Sequence, residues 1–288
     1  MNDQPKSTLV AGPWVGEFGW ELFAWQAYLR SLAKHYDTTV IICRESSSLL
    51  YEDFASSILH YEPPGGPSDQ WFRRGCDIQR CLKDLFTQHK KLLVSPGTSV
   101  LLPRRIGIPN DGITSFEDSV SLANASIVPD YIRYGSCQRR KYDYIFHIRT
   151  RSIRKEDNWS MAKWEELLEL CTKEGHTVAC MGSQAEAQVL PGTDDLRGAP
   201  LTELVDILHN CEAAFGPSSG PMHLASLCGA PHVVWSRPQN ELRYLDNWNP
   251  LDTPVLFLSA YEWHPNPEYV IENFREWNKQ VKLSVRNR

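Results

Sequence analysis

The sequence lacks the segments that direct a chain into or across a membrane. No run of about 18 apolar residues occurs, although a membrane-spanning helix needs one of roughly that length. The first residues, MNDQPKSTLV, lack the charged-then-apolar pattern of a secretory signal. We therefore expect a cytoplasmic protein without a transmembrane segment.

The sequence also has little that could hold a metal ion. Its eight cysteines include no C-x-x-C pair, and neither they nor the nine histidines fall at the spacing of zinc ligands. Most of the cysteines lie in apolar runs, which is typical of reduced thiols in a protein core. No D-x-D motif occurs either. We expect no metal site.

The composition that remains is that of a globular protein, with 42% apolar and 23% charged residues. A length of 288 residues allows two domains, each with its own core. The net charge of −5 is uneven, because residues 1–141 carry 16 Lys and Arg against 15 Asp and Glu, whereas residues 142–288 carry 14 against 20. The basic excess falls in Arg73-Arg74, Lys90-Lys91, Arg104-Arg105 and Arg139-Arg140-Lys141. Solvated surface is the favoured interpretation, and a groove for an anionic acceptor is the alternative.

Short apolar runs alternate with amphipathic stretches along the chain. In the first half this pattern predicts a helix at 19–34 and strands at 8–11, 38–43 and 91–94. In the second half it predicts helices at 161–173, at 202–209 and after residue 220, with strands at 142–148, 176–181, 213–216 and 232–235. Such alternation predicts doubly wound parallel sheets. The polar segment 133–141 is the best candidate for a linker.

The junction GPSSGPMHLA, residues 216–225, joins a buried strand to an amphipathic helix. A helix that begins there points backbone N–H groups and the positive end of its dipole beyond the strand, where phosphate is the usual ligand. Ser218 or Ser219 can cap the helix, and Gly220 lets an anion approach the backbone closely. Ordinary helix capping without a ligand is the alternative. Met222 and His223 follow in the first turn, where His223 is either a phosphate donor or, more often, a satisfied helix residue.

Polar residues also follow two other strands of the predicted sheet. Arg149 and Arg151 come after the strand at 142–148, while Gly182 and Ser183 come after the strand at 176–181. Because ligands of open parallel sheets bind beyond the carboxyl ends of the strands, we expect these residues near the junction, with an arginine on a diphosphate. Surface ion pairs are the alternative for the arginines. Glu186 is either a ribose ligand or an exposed helix residue, and both interpretations stay open.

Residues 195–235 resemble a known enzyme family. The stretch DLRGAPLTEL at 195–204, the strand after it and GPSSGPMHLASLCGAP are similar to the ADP-heptose:lipopolysaccharide heptosyltransferases, which are GT-B glycosyltransferases. That family has a Leu-x-Glu-Leu helix, a strand, an Asp-Ser/Thr-Gly turn, a His-Leu-Ala helix and a Gly-x-Pro strand start. The resemblance is weaker over 142–189 and thin in the first half. Ser218 stands where the family has its aspartate, and the chain is short for the family.

The resemblance implies a GT-B-like α/β fold, with two Rossmann-type doubly wound domains that face a central cleft. Residues 1–138 would bind the acceptor, and residues 139–288 would bind the nucleotide sugar. The implied reaction moves a sugar from a nucleotide diphosphate sugar to an acceptor hydroxyl, without a metal and with inversion. No cofactor is expected besides the donor substrate. Donor-binding roles fall to Arg149, Arg151, Gly182, Ser183, Glu186, Ser218, Ser219, Gly220, Met222 and His223.

The resemblance also indicates a catalytic base near the start of the chain. Gly16-Glu17 stands where the family has a Gly-Asp pair after its first strand, so Glu17 is the candidate general base. Glu21, one helical turn later, is its competitor. Either glutamate could instead serve the dipole of the helix that begins there.

Other functions stay open from the sequence. Within enzymes, the alternative is another GT-B-fold transferase, such as a pyruvyl transferase, or an epimerase-like enzyme. From another class, the alternative is a non-catalytic module that binds a nucleotide or a glycan. A glycan is the expected acceptor, and a modified base in DNA is the less favoured one, so a nucleic acid is the less favoured partner.

Overall fold

The computed structural model describes residues 6–14, 16–62, 78–101, 127–152 and 154–286. The chain divides into two compact units, Met1–Asp130 and Tyr131–Arg288. The boundary at 138/139 expected from the sequence therefore falls inside the second unit. Two of the basic pairs, Arg73-Arg74 and Arg104-Arg105, lie outside the described residues.

The first unit contains a parallel four-stranded sheet in the order β3-β2-β1-β4. Its strands are β1 (Thr8–Ala11), β2 (Thr38–Cys43), β3 (Ser57–His60) and β4 (Thr98–Leu101). The β-branched run of β2 favours an extended chain, and β2 pairs with β1 on one side and β3 on the other. One cluster of its core consists of Val10, Val40, Ile42, Tyr61, Leu85 and Leu93.

The helical segment after β1 changes its geometry along its length. A single α-helical turn, α1 (Phe18–Trp20), is followed by the π-helical turn Glu21–Trp25 and then by α2 (Gln26–Ala33). A π-helical insertion often marks a functional site. The helix predicted at 19–34 is confirmed, and its interior departs from regular geometry at the position of Glu21.

The strand predicted at 91–94 is wrong. Residues 91–93 end the helix α3 (Ile78–Leu93), which contains a non-helical residue at His89, and the strand β4 follows only at Thr98. Leu85 and Leu93 are both buried in the core of the unit. A short apolar run cannot distinguish a strand from the buried face of a helix, and here the helix is the outcome.

The second unit contains a parallel six-stranded sheet in the order β10-β9-β8-β5-β6-β7. Its strands are β5 (Tyr144–Phe146), β6 (Val178–Gly182), β7 (Asp194–Arg197), β8 (Ala213–Pro217), β9 (His232–Trp235) and β10 (Val255–Leu258). Because β6 lies on one side of β5 and β8 on the other, the strand order reverses at β5. Ligands of doubly wound sheets bind at such a reversal.

Four helices accompany this sheet among the described residues. They are α4 (Met161–Thr172), α5 (Leu201–Asn210), α6 (Gly220–Cys228) and α7 (Pro267–Arg286). Aromatic residues fill much of the core, where Phe146, Phe215 and Phe274 pack edge to face with their neighbours. The sequence predicts each of the strands and helices of the second unit except β7, β10 and α7.

The candidate linker, residues 133–141, lies in the second unit. It runs along α5, where Ser136 donates a 2.8 Å backbone hydrogen bond to Asp206 and Gln138 donates one of 2.9 Å to Asn210. Its basic residues Arg139, Arg140 and Lys141 line a pocket of about 530 Å³ beside Glu203 and Asp206.

Most of the described cysteine side chains are buried thiols, as the sequence predicts. Cys43, Cys171, Cys180, Cys211 and Cys228 are buried, and none of them forms a disulfide. Cys137 differs, because it is exposed at the edge of α5. Among the described residues, no helix is both long enough and apolar enough to cross a membrane.

Candidate functional site

The junction predicted to bind phosphate is a turn from β8 into α6. Ser219 is the N-cap of α6, with an extended backbone at φ −165° and ψ 167°. Its hydroxyl makes no capping bond, and its Oγ is buried without a hydrogen-bond partner in the described parts of the chain. The helix that starts at Gly220 directs its positive end to this point. A buried hydroxyl donor therefore lies beside a helix N-terminus.

Arg149 packs against this turn from the end of β5. It is 5% exposed, and its two terminal nitrogens donate 2.7 Å hydrogen bonds to the carbonyls of Ser218 and Asp157. Its guanidinium carbon lies 4.9 Å from the ring centroid of Trp263. Burial, with a contribution from the neighbouring Arg151, lowers the pKa of Arg149 to about 9, so the side chain stays charged at neutral pH. The turn is thus fixed by a buried cation.

Asp157 organises the arginines at this edge of the sheet. Its carboxylate is 4% exposed and accepts a 2.5 Å hydrogen bond from Arg151, while Arg237 lies 3.7 Å from its other oxygen. Through its backbone carbonyl the same residue accepts the bond from Arg149. The sequence interpretation missed Asp157. Its only signal is an acidic residue in the loop that follows Arg149 and Arg151.

The end of β6 forms the other side of the site. Gly182 has φ +137°, and a Cβ there would lie 2.5 Å from Cβ of Ala187 and 3.0 Å from Nδ1 of His147. Only glycine fits such a position. Ser183 Oγ accepts a 3.1 Å bond from the backbone N–H of Glu186, whose carbonyl accepts one of 2.7 Å from Thr150. Ser183 and Glu186 are exposed next to the loop that carries the arginines.

His147, at the end of β5, is a buried and neutral residue of the sheet. Its Nδ1 donates to the carbonyl of Met181 at 3.2 Å, and burial lowers its pKa to about 4. On its other side, a Cβ at Gly216 would lie 3.1 Å from Cβ of His147 and 2.8 Å from Sδ of Met222. His147 therefore fills the space that two glycines leave.

Met222 and His223 lie inside the unit rather than on its surface. Met222 is fully buried, so only its backbone N–H remains for an anion. His223 is 3% exposed and stacks on the ring of Tyr244, with centroids 4.1 Å apart. Burial, and then the nearby Arg243, hold the pKa of His223 well below its usual range. Its side chain is neutral near pH 7, which fits the satisfied helix residue better than a charged phosphate donor.

The two candidate bases occupy different environments in the first unit. Glu17 is half-buried at the N-cap of α1, and its carbonyl accepts the N–H groups of Trp20 and Glu21. Glu21 is 2% exposed and its carboxylate accepts hydrogen bonds from Tyr51 at 2.7 Å and Ser47 at 3.1 Å. Burial raises the pKa of Glu21 to about 7, against the opposing effects of Tyr51, Arg44 and Ser47.

One group of side chains in the described residues has atoms close enough to hold a metal ion. Asp143, His176 and Glu212 offer ligand atoms within 4.8 Å of one another. They precede β5, β6 and β8, so they lie at the amino ends of the strands, opposite the turn. Thr177 bonds the Asp143 carboxylate at 2.8 Å, and Lys282 and Arg140 pair with Glu212 at 2.6 and 3.2 Å. The carboxylates are thus already compensated.

Solved structures with low sequence identity are similar in fold over most of the chain. Escherichia coli ADP-heptose LPS heptosyltransferase II is similar with a TM-score of 0.62 at 16% identity, over 96% of this chain and 99% of that one. A family 9 glycosyl transferase from Veillonella parvula gives 0.61 at 12%, over 97% and 99%. The E. coli heptosyltransferase WaaC with ADP gives 0.57 at 11%, over 94% and 99%. These likenesses establish a GT-B-like α/β fold.

Sequence comparison assigns the family. No curated protein matches the chain. The model of glycosyltransferase family 9 (heptosyltransferase) matches residues 112–256, half of the chain, including β5 to β9 and the turn into α6. This confirms the resemblance inferred from the sequence and favours a glycosyltransferase over a pyruvyl transferase or an epimerase. The chain belongs to glycosyltransferase family 9, the heptosyltransferase family, and is a nucleotide-sugar-dependent glycosyltransferase.

Proposed function

We propose that the second unit binds the diphosphate of the nucleotide sugar at the turn Ser218-Ser219-Gly220. The observation that supports this most directly is the Ser219 hydroxyl, which is buried at the start of α6 and has no partner within the described ranges. An unsatisfied buried hydroxyl costs free energy. A phosphate oxygen would accept a hydrogen bond from it and from the backbone N–H groups of Gly220 and Met222.

The charges around the turn suit an anionic diphosphate leaving group. Arg149 lies directly behind the turn, and Arg151 and Arg237 gather around Asp157 beside it. The three arginines outnumber the carboxylates of Asp157 and Glu262, the second of which lies 3.7 Å from Arg237, so a net positive charge remains, to which the helix dipole adds. We infer that these groups, rather than a metal ion, stabilise the negative charge that develops on the diphosphate. Asp143, His176 and Glu212 lie at the opposite ends of the strands and take no part in stabilising this charge.

We also propose residues that bind the nucleoside and a mechanism for the transfer of the sugar. Ser183 and Glu186, exposed beyond β6, are the candidate ligands of the nucleoside. An acceptor oxygen attacks the anomeric carbon while the bond to the diphosphate breaks, so the electron pair leaves with the diphosphate and the configuration inverts. The acceptor hydroxyl gives its proton to a base in the first unit, which we assign to Glu17.

Accessibility decides our choice between the two glutamates. A general base must come within hydrogen-bond reach of the proton that it removes. Glu17 is half-buried in a turn, whereas both carboxylate oxygens of Glu21 accept bonds from side chains in the interior. A pKa of about 7 would suit a base, but the position of Glu21 does not. We therefore infer that Glu21 supports the π-helical turn that follows Glu17.

The donor proposal is tested by titrating the protein with ADP, UDP and GDP in a calorimeter. ADP is the first candidate, because structures similar to this chain include an ADP-heptose heptosyltransferase and a heptosyltransferase with ADP. The expected acceptor is a glycan hydroxyl. Ser219→Ala should weaken binding of the preferred nucleotide by roughly 1.5 kcal/mol or more, the value of a hydrogen bond to a charged group.

A control on the same helix separates binding from folding. Ser226 is buried in α6 about two turns beyond Ser219, and its hydroxyl donates to Asn249 at 2.9 Å. Ser226→Ala should lower stability and leave the dissociation constant of the nucleotide unchanged. Equal weakening by both variants, or no binding of any of the three nucleotides to the wild-type protein, would contradict a donor site at this turn.

A further inference from the structure

Tyr244 is bonded to both backbone groups of Ser219. The Ser219 N–H donates to the Tyr244 hydroxyl at 3.0 Å, and the hydroxyl donates to the Ser219 carbonyl at 3.3 Å. Tyr244 belongs to the π-helical turn Arg243–Asn247 and is 1% exposed. A single phenol oxygen therefore satisfies a donor and an acceptor of the residue that caps α6.

The ring of Tyr244 is held as firmly as its hydroxyl. It stacks on His223 with an interplanar angle of 16°, and it contacts Phe257 of β10 at a centroid distance of 5.8 Å. Burial raises the pKa of the Tyr244 phenol to about 12, so the hydroxyl keeps the proton that it donates across the working pH range. The phenol oxygen thus has one defined position.

Two buried side chains consequently fix the turn from opposite sides. Arg149 holds the carbonyl of Ser218 at 2.7 Å, and Tyr244 holds the N–H and carbonyl of Ser219. The Ser219 N–H is thereby occupied and cannot serve a phosphate. The groups left to a ligand are the Ser219 hydroxyl and the N–H groups at the start of α6. Their direction depends on the backbone of Ser219, which has only two rotatable dihedrals.

We infer that Tyr244 is a positioning residue of the donor site, whose hydroxyl sets the Ser219 backbone so that Oγ and the first N–H groups of α6 point to the diphosphate. This inference rests on the proposed donor site. Tyr244 itself does not contact the donor. It removes the freedom of a turn that would otherwise lose entropy on binding, which is how preorganisation increases affinity.

Tyr244→Phe tests the inference, because it removes the hydroxyl and keeps the ring. The variant should bind the preferred nucleoside diphosphate about tenfold more weakly, as expected for the loss of one to two net hydrogen bonds. The KM for the donor should rise by a similar factor, with kcat at saturating donor little changed. A role in folding alone would lower the Tm and leave the donor KM unchanged.

The matched control is Tyr142→Phe. Tyr142 is also buried in the second unit, and its hydroxyl donates to Asp194 at 2.6 Å, but both residues lie at the amino ends of their strands, away from the turn. Its nucleotide affinity should stay within twofold of wild type. If Tyr244 acts through Ser219, the two substitutions should not be additive. The factor by which Tyr244→Phe raises the dissociation constant of the nucleotide should then be at least three times smaller in a Ser219→Ala background than in the wild-type protein.

A second measurement uses the wild-type chain. The Ser219 amide should exchange its hydrogen slowly without nucleotide, because the Tyr244 hydroxyl already accepts it. Exchange as fast as that of an exposed amide would overturn the inference, as would unchanged affinity in Tyr244→Phe or full additivity with Ser219→Ala. Wild-type protein that binds none of ADP, UDP and GDP would instead refute the donor site itself, and the role of Tyr244 with it.

Discussion

The hydroxyl of Tyr51 donates a 2.7 Å hydrogen bond to Oε1 of Glu21 inside the first unit. Ser47 bonds the other carboxylate oxygen at 3.1 Å, and the whole group is 2% exposed. These two bonds favour the ionised carboxylate, yet burial outweighs them and raises the pKa of Glu21 to about 7. The carboxyl therefore gains or loses its proton near neutral pH without contact with bulk water.

The first prediction is that Glu21 makes stability depend on pH. The carboxyl titrates near 4.5 in the unfolded chain and near 7 in the folded one, so the folded state binds the extra proton between these values. The contribution of Glu21 to the free energy of unfolding should be greatest below pH 4.5. It should fall by up to about 3 kcal/mol as the pH rises through 7. Urea unfolding of wild type and Glu21→Gln from pH 5 to 8 measures the difference, which parallel curves would refute.

The second prediction separates the two glutamates by turnover. Glu17→Gln keeps the shape of the side chain and removes its basicity, so kcat should fall by roughly a hundredfold or more while donor affinity changes little. Glu21→Gln serves as the matched variant, because it makes the same change one helical turn later, and should keep most of its activity. Near-normal turnover in the first variant with collapse in the second would move the base to Glu21.

The third prediction concerns Arg149, which supplies both charge and the bond to the Ser218 carbonyl. Arg149→Ala should weaken nucleotide binding by roughly 1.5–3 kcal/mol. Arg149→Lys keeps the charge, but a lysine cannot bridge two carbonyls with a planar fork, so its affinity should fall between those of alanine and wild type. Calorimetry with the preferred nucleoside diphosphate gives the three values. Unchanged affinity in the alanine variant would place the diphosphate elsewhere.

The fourth prediction is that glycosyl transfer survives EDTA. In the described part of the chain, cations and a helix terminus surround the turn, while the one group of suitable ligands lies at the other ends of the strands. Initial rates with and without chelator should agree. Loss of activity in EDTA that manganese or magnesium restores would show that a metal carries the charge of the leaving group.

The fifth prediction concerns the ion pair of Asp157 and Arg151, whose side chains are 4% and 12% exposed. Asp157→Asn leaves a largely buried guanidinium without its counter-charge and should lower the free energy of unfolding by about 3 kcal/mol. Asp195→Asn breaks a pair with Arg197 at the surface of β7 and should have a much smaller effect. Chemical denaturation of both variants makes the comparison, and equal losses would contradict the buried role of Asp157.

Patterns of apolar residues predicted the alternation of strands and helices in the second unit well. Strands such as Val178–Gly182 are continuous apolar runs because both faces of a parallel sheet are covered. The strand predicted at 91–94 was wrong for a related physical reason, since the buried end of a helix can also be continuously apolar. The strand Asp194–Arg197 was missed because three of its four residues are charged, which is tolerated at the edge of a sheet.

Only the parts of the candidate site that lie within a single turn were predictable from the sequence. A Ser-Ser-Gly sequence before a helix by itself indicates a helix N-terminus that can bind an anion. The order of the strands then brings this turn next to Arg149. Tyr244 and Asp157 have no such local signal. Their contacts join residues 25 and 8 positions apart through loops of irregular geometry, which periodicity does not describe.

The imidazole of His147 separates two glycines that belong to different strand ends, Gly182 of β6 and Gly216 of β8. All three positions share one small volume, so a side chain added at either glycine would press on His147 as well as on Ala187 or Met222. In evolutionary terms the three positions are linked. As homologous lineages diverge, substitutions at 147, 182 and 216 should be inherited together, and a histidine at the first should accompany glycines at the other two.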